Sequence, residues 1–145
     1  MSQSETYPKK LTCLSCGQLN RVPDEKLADH PKCGACGKGL MTGKAVDVTP
    51  KILEKAMRND DVPLVVDFWA PWCAPCRQMA PEFAKAAGKL HKNVRFVKVN
   101  TEAFPQVGSR HNIRGIPTMA YFFDGKERKR KSGAMAADAI ASWVG

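Results

Sequence analysis

All six cysteines of this 145-residue chain fall in Cys-x-x-Cys pairs: Cys13 with Cys16, Cys33 with Cys36, and Cys73 with Cys76. The spacing suits two chemistries. Two thiolates can supply half of a metal site, or two thiols can cycle with a disulfide. The first two pairs are near copies, Leu11-Thr12-Cys13-Leu14-Ser15-Cys16-Gly17 and Pro31-Lys32-Cys33-Gly34-Ala35-Cys36-Gly37-Lys38. In each, glycine follows the second cysteine and relieves the backbone, so both sulfurs can face one point. Sixteen residues separate Cys16 from Cys33, which suits a four-cysteine zinc ribbon holding one structural Zn²⁺. Zinc is preferred because it makes no redox demand and suits tetrahedral sulfur. Iron at the same sulfurs, or a pair of disulfides, are the alternatives. So short a segment cannot bury a core of its own, and the metal is expected to supply most of its folding energy. His30 reads as an exposed loop residue, since four thiolates complete the site.

The third pair has no second pair beside it. An apolar run, Leu64 to Ala70, leads into Trp72-Cys73-Ala74-Pro75-Cys76, and Met79, Phe83, Ala86, Ala87 and Leu90 follow at helical spacing. Strand, turn and helix therefore meet at the motif, which reads as a redox dithiol. A buried core pair or half a metal site is the alternative. Backbone N–H groups of the first helical turn lack intrahelical acceptors and carry the positive end of the helix dipole. Both favour Cys73 as a thiolate, and Arg77 and Lys85 act in the same sense. Cys76 lies within reach of a mixed disulfide on Cys73 and is expected to be more buried, with a higher pKa. Pro75 sets φ inside the motif and suits the first helical turn.

Asp67 interrupts the apolar run. Burial there would raise its pKa and make it a proton acceptor for Cys76. The other reading is a strand-end carboxylate facing water.

The remaining elements position these groups. Met1–Lys10 is polar and reads as a disordered lead-in without an apolar signal core, so a cytoplasmic setting is expected. Residues 1–44 read as the four-cysteine module, with Gly39–Lys44 as linker, and 45–145 as a second domain. Ala45–Val48 reads as a short strand. Thr49 caps a helix that begins at Pro50 and presents Ile52, Leu53, Ala56 and Met57. Asn59-Asp60-Asp61 reads as a turn. The helix after Cys73 runs to about Lys89, and Pro81 should kink it. Val94–Asn100 and Met119–Phe123 read as strands, with a short helix or turn from Phe104 to His111 between them. Asp124-Gly125 turns into a partner strand, Glu127–Ser132, and Met135–Trp143 closes as a helix. His91 and His111 are read as surface residues. The apolar fraction is 43%, and no run is long enough for a membrane span. The formal charge is +9, or about +7 once four thiolates surround a dication.

Several stretches in this order and spacing resemble the thioredoxin family: Val66-Asp67-Phe68-Trp69-Ala70-Pro71-Trp72-Cys73-Ala74-Pro75-Cys76, Met79-Ala80-Pro81, Val97-Lys98-Val99-Asn100, Ile113-Arg114-Gly115-Ile116-Pro117-Thr118 and Gly133-Ala134. The four-cysteine module resembles that of the family's zinc-containing members. The resemblance implies an α/β chain: a thioredoxin fold, with a central mixed sheet flanked by helices, preceded by a small zinc-ribbon-like domain. It implies protein-disulfide reduction, with Cys73 attacking, Cys76 resolving, Asp67 managing the Cys76 proton and Lys98 as the partner of Asp67. Trp72, Ala74, Pro75, Gly115, Ile116, Pro117, Gly133 and Ala134 would form the substrate surface, and Ile116-Pro117 would be cis. The partners implied are oxidised proteins and an NADPH-dependent thioredoxin reductase. No organic cofactor is expected in this chain, which lacks a dinucleotide fingerprint, and a monomer is expected. One departure is Ala74 where the family usually has glycine. Alanine fits a helix start, so the redox chemistry should survive.

Two other functional classes share some of these features. Lys126 and Arg128-Lys129-Arg130-Lys131, with the ribbon, would suit a nucleic-acid-binding zinc protein. No stacking aromatics are interleaved there, and charges also guard edge strands, so no specific nucleic acid is expected. A zinc-module interaction or chaperone protein with secondary redox activity is the other.

Overall fold

A computed structural model describes residues 8–145. Two strands come first, β1 (Lys9–Thr12) and β2 (Leu19–Val22), then β3 (Ala45–Asp47), α1 (Pro50–Asn59), β4 (Leu64–Trp69), α2 (Ala74–Lys89), β5 (Arg95–Asn100), α3 (Pro105–Arg110), β6 (Thr118–Phe123), β7 (Lys126–Ser132) and α4 (Ala137–Val144). The five later strands form one mixed sheet, ordered β3-β5-β4-β6-β7. β4 and β3 run parallel to β5, and β6 and β7 continue antiparallel.

β4 is central and covered on both faces, which explains its nearly continuous apolar sequence. Leu64, Val66 and Phe68 pack with Leu53 and Ala56 of α1 and Val107 of α3. Val65, on the opposite face, packs with Met79, Phe83 and Ala86 of α2 and Ile140 of α4. Strand alternation puts Asp67 on the Val65 face, towards the start of α2. The Thr49 side chain accepts the Ile52 N–H at 3.4 Å and caps α1. α2 continues through Pro81 as one helix. Glu82 of α2 accepts the Ala137 N–H at 2.9 Å and so starts α4.

The first forty residues differ from their sequence reading. Within the expected lead-in, Lys9 and Lys10 belong to β1 and Pro8 precedes it, while residues 1–7 lie outside the described residues. The expected linker is partly core: Leu40 and Met41 are buried with Leu11, Val22, Cys13 and Cys33, and Val62 enters this cluster from the α1–β4 loop. The ribbon therefore completes its small core with a residue of the larger domain.

A polar seam adds to this contact. Arg95, at the start of β5, forms a buried ion pair with Asp60, each side chain 2% exposed. Arg95 also donates to the Thr12 carbonyl at 2.6 Å, and the Thr12 N–H donates to Asp60 Oδ1 at 2.8 Å. Asp61 and Lys10 exchange two more bonds, Lys10 N–H to Asp61 Oδ2 at 2.8 Å and Asp61 N–H to the Lys10 carbonyl at 2.9 Å. Losing one partner of a buried pair costs roughly 3–5 kcal/mol, so Asp60 and Arg95 depend on each other here. The residues read as a turn thus also anchor β1.

Candidate redox centre and four-cysteine site

β4 ends at Trp69, and Pro71-Trp72 turns the chain into α2. Cys73 is the N-cap of that helix: its extended backbone precedes Ala74, and its sulfur accepts the Cys76 N–H at 3.2 Å. Cys73 and Cys76 are joined as a disulfide. They are 4% and 2% exposed, so the expected difference in burial between them is small in this state. The reason is a wall of Ala70, Trp69 and Ile116 around both sulfurs. Arg77 donates to the Pro71 carbonyl at 2.9 Å and braces the turn. Lys85 pairs with Glu82 at 3.3 Å, about three turns along the helix, and adds nothing local to Cys73.

A groove of about 510 Å³ opens beside Cys73, lined by Trp72, Ala74, Pro75, Thr101, Gly108 and the segment Ile113–Ile116. Trp72 is 67% exposed. The Ile116 carbonyl lies 3.7 Å from the Cys73 sulfur, and the Ile116-Pro117 bond is cis. Of the expected substrate surface, Pro117 lies buried behind Ile116. Gly133 and Ala134 are exposed and outside the groove lining, but the Gly133 N–H donates to the Pro117 carbonyl at 2.9 Å. Thr101, Gly108, Ile113 and Arg114 line the groove in addition to the expected residues. They come from the turn after β5, from α3 and from the segment after it, and only the fold assembles them.

Asp67 is fully buried, and neither carboxylate oxygen has a hydrogen-bond partner. Burial pushes it up to about 7, Lys98 opposes that shift, and Asp47 adds to it. The register explains the two charge effects, because Asp47 and Asp67 flank Lys98 on neighbouring parallel strands. Lys98 does not close an ion pair with Asp67; its Nζ sits 4.5 Å from the Trp69 ring centroid. Its influence on Asp67 is therefore through space. The water-facing reading of Asp67 does not hold.

His111 also departs from its sequence reading. Its ring packs against Phe68 and Phe122, with Nε2 3.4 Å from Glu54, and burial lowers its pKa. His91 is partly covered and bonds the Gly88 carbonyl at 2.8 Å. His30 is an exposed loop residue with φ 51°.

In the ribbon, Cys13, Cys16, Cys33 and Cys36 converge, their sulfurs all within 4.8 Å of one another. Cys13 and Cys36 are 3.6 Å apart, and Cys16 and Cys33 3.7 Å. A Zn–S bond of about 2.3 Å implies a tetrahedron edge near 3.8 Å, so the separations fit that ion. The two knuckles repeat one pattern. Cys13 N–H donates to the Gln18 carbonyl and Gly17 N–H to the Cys13 carbonyl; Cys33 does the same with Lys38, and Gly37 with Cys33. Gly17 and Gly37 take φ of 85° and 80°, where a side chain is strained. N–H groups of Cys16 and Ala35 donate to the Cys13 and Cys33 sulfurs at 3.4 and 3.3 Å, favouring thiolates.

Comparison with known proteins gives a consistent result. The family profile described as Thioredoxin matches residues 44–145, and one described as Thioredoxin 2, N-terminal matches residues 12–38. Thioredoxin C-3 of Corynebacterium nephridii is 40% identical over 134 residues, 92% of each chain. Thioredoxin 1 of Nostoc sp. is 42% identical over 91 residues, 63% of this chain and 85% of its own. Among solved structures, a chloroplastic thioredoxin z superposes with a TM-score of 0.65 at 31% identity, covering 70% of this chain and 91% of that one.

The burial of Asp67 has a measurable sign. The unfolded carboxylate ionises near pH 4, whereas the folded one keeps its proton to about 7. Between these values the unfolded state binds fewer protons, so the fold loses stability as pH rises and levels off above the folded value. Asp67→Asn removes this titration. With the disulfide intact, the variant's stability advantage should widen between about pH 4 and pH 7 and then stay constant, by roughly 4 kcal/mol in total. Urea unfolding across that range checks it, and a difference independent of pH would show that the carboxylate is solvated.

Proposed function

This chain belongs to the thioredoxin family and is a protein-disulfide reductase, and we propose that Cys73 is its attacking thiol and Cys76 its resolving one. The observation that carries the assignment is the Cys73 sulfur at the helix N-cap, on the mouth of the groove beside Ile116. In the reduced dithiol, the Cys76 N–H and the helix dipole favour the Cys73 thiolate. That thiolate attacks one sulfur of a substrate disulfide, and the other substrate sulfur leaves as a thiolate. Cys76 then gives up its proton and attacks the Cys73 sulfur. The second substrate sulfur departs, and the protein is left with the Cys73–Cys76 disulfide, two electrons having passed to the substrate.

Asp67 takes the Cys76 proton in this reading. A carboxylate near 7 can hold a proton and return it close to neutral pH. Lys98 tunes Asp67 by its charge. Trp72, Ala74, Pro75, Gly115 and Ile116 form the docking face, Pro117 presents the Ile116 backbone, and Gly133-Ala134 supports it from behind. The electrons for the next cycle come from an NADPH-dependent thioredoxin reductase. Insulin reduction with NADPH and a bacterial thioredoxin reductase tests this: the parent should turn over rapidly, and Cys73→Ser should fall to background. Activity with dithiothreitol but none with the reductase would assign a different electron donor.

The ribbon holds zinc in this account, one ion per chain through Cys13, Cys16, Cys33 and Cys36. Its role is structural, because four sulfurs close the coordination shell. Such thiolates persist in a reducing compartment, which supports a cytoplasmic setting. Lys129 and Arg130 are used internally, by the Trp143 and His111 carbonyls among others, which supports β7 as a guarded edge over a nucleic-acid surface. Large exposed apolar side chains are confined, among the described residues, to Trp72 and Phe123, which supports a monomer. Metal analysis of the purified protein should give close to one zinc per chain, lost in Cys13→Ser. A metal-free parent with its ribbon cysteines reduced would contradict the assignment.

A further inference from the structure

The strand β7 carries five cations and one acid, Glu127, and every residue in it is exposed. One of those cations is not free. Arg130 lies opposite Ala120, and Glu127 lies opposite Phe122. Regular alternation would send Glu127 and Arg130 to different faces of the strand. A bulge between Tyr121 and Phe122 shifts the register and returns Glu127 to the Arg130 face. Arg130 Nε and Nη2 then donate to the two Glu127 oxygens at 2.6 and 2.8 Å. The fork is fixed by its own strand and projects its remaining donors across the sheet end.

Those donors reach one backbone corner. Arg130 Nη2 donates to the His111 carbonyl at 2.8 Å, and Nη1 donates to the Asn112 carbonyl at 3.0 Å. Asn112 has φ 54° there, the left-handed turn that ends α3. The next four residues, Ile113 to Ile116, form one wall of the groove beside Cys73. The corner is held on its other side by the His111 ring against Phe68 and Phe122. Arg130 is not among the groove-lining residues and touches no sulfur, so its reach to the groove is through the backbone of this corner.

We propose that Arg130, oriented by Glu127, is a positioning residue for protein substrates: it fixes the His111–Asn112 corner and so sets where the Arg114–Ile116 backbone meets a substrate chain. This rests on the reductase reading above. It requires the planar fork, because an ammonium is a single point of charge and cannot bond Glu127 and two carbonyls in one plane. It concerns extended protein substrates alone, since a small aromatic disulfide needs only the Cys73 sulfur.

Two measurements on the full-length zinc-loaded protein test it. Amide hydrogen exchange reads the tie itself: Arg130→Ala should speed exchange at residues 113–116 about tenfold, with the β4 core unchanged. Reduction kinetics read its purpose, using dithiothreitol-reduced protein against insulin and against 5,5′-dithiobis(2-nitrobenzoic acid). In Arg130→Ala, kcat/KM for insulin should fall about tenfold through KM, while the small-disulfide rate stays within about twofold of the parent and the Cys73 pKa is unchanged. Arg130→Lys should behave like Arg130→Ala, and Glu127→Gln should lie between. Unchanged exchange, equal losses on both substrates, an unaltered insulin KM, or full activity in Arg130→Lys would each overturn the proposal. A parent that leaves insulin intact would instead overturn the reductase reading, with the exchange result still deciding the tie.

Discussion

The Cys76 N–H donates to the Cys73 sulfur at 3.2 Å, and this one contact depends on nearly everything else in the larger domain. It exists because a strand buried on both faces delivers the chain to the start of a sixteen-residue helix. The helix leaves its first N–H groups without partners, and a cysteine at the cap supplies a polarisable acceptor. The same junction explains why sulfur is reactive here and quiet in the core. A thiolate at a helix start is stabilised by fixed dipoles that cost no reorganisation when charge forms.

Charge on the other side of the junction is handled by burial. Asp67 shares the β4 face that runs towards α2, and water does not reach it. Lys98 is opposite in register yet places its ammonium over Trp69. Burial raises the pKa of Asp67 and of Asp60 alike, but at Asp60 the Arg95 guanidinium and the Thr12 N–H oppose the shift. Two buried aspartates of the same chain differ in their partners: one has a guanidinium and a backbone N–H, and the other has neither. The first suits an anchor, the second a proton acceptor.

Much of this was readable from local pattern. The alternation and apolar runs gave β4, α2 and β6, the Thr49-Pro50 pair gave the start of α1, and Gly17 and Gly37 marked the two knuckles. Each of these signals lies within a few residues of its cause. The features that escaped are long-range. Asp60 and Arg95 are thirty-five residues apart, and Thr12 lies further still. Leu40 and Met41, beside two glycines, look like linker until Val62 is seen in contact with their cluster. Arg130 reads as one more edge-strand cation, because the bulge that aligns it with Glu127 has no signature in a run of charged residues. His111 reads as polar for the same reason: its aromatic neighbours, Phe68 and Phe122, come from distant strands.

The central claim is a division of labour between Cys73 and Cys76. Trapping the mixed disulfide tests it most directly. A Cys76→Ser protein, reduced and then mixed with a disulfide-bonded protein substrate, should accumulate a covalent adduct. Peptide mass mapping should place the link at Cys73, and Cys73→Ser should form none. An adduct through Cys13, Cys16, Cys33 or Cys36, or equal trapping in both variants, would contradict the account.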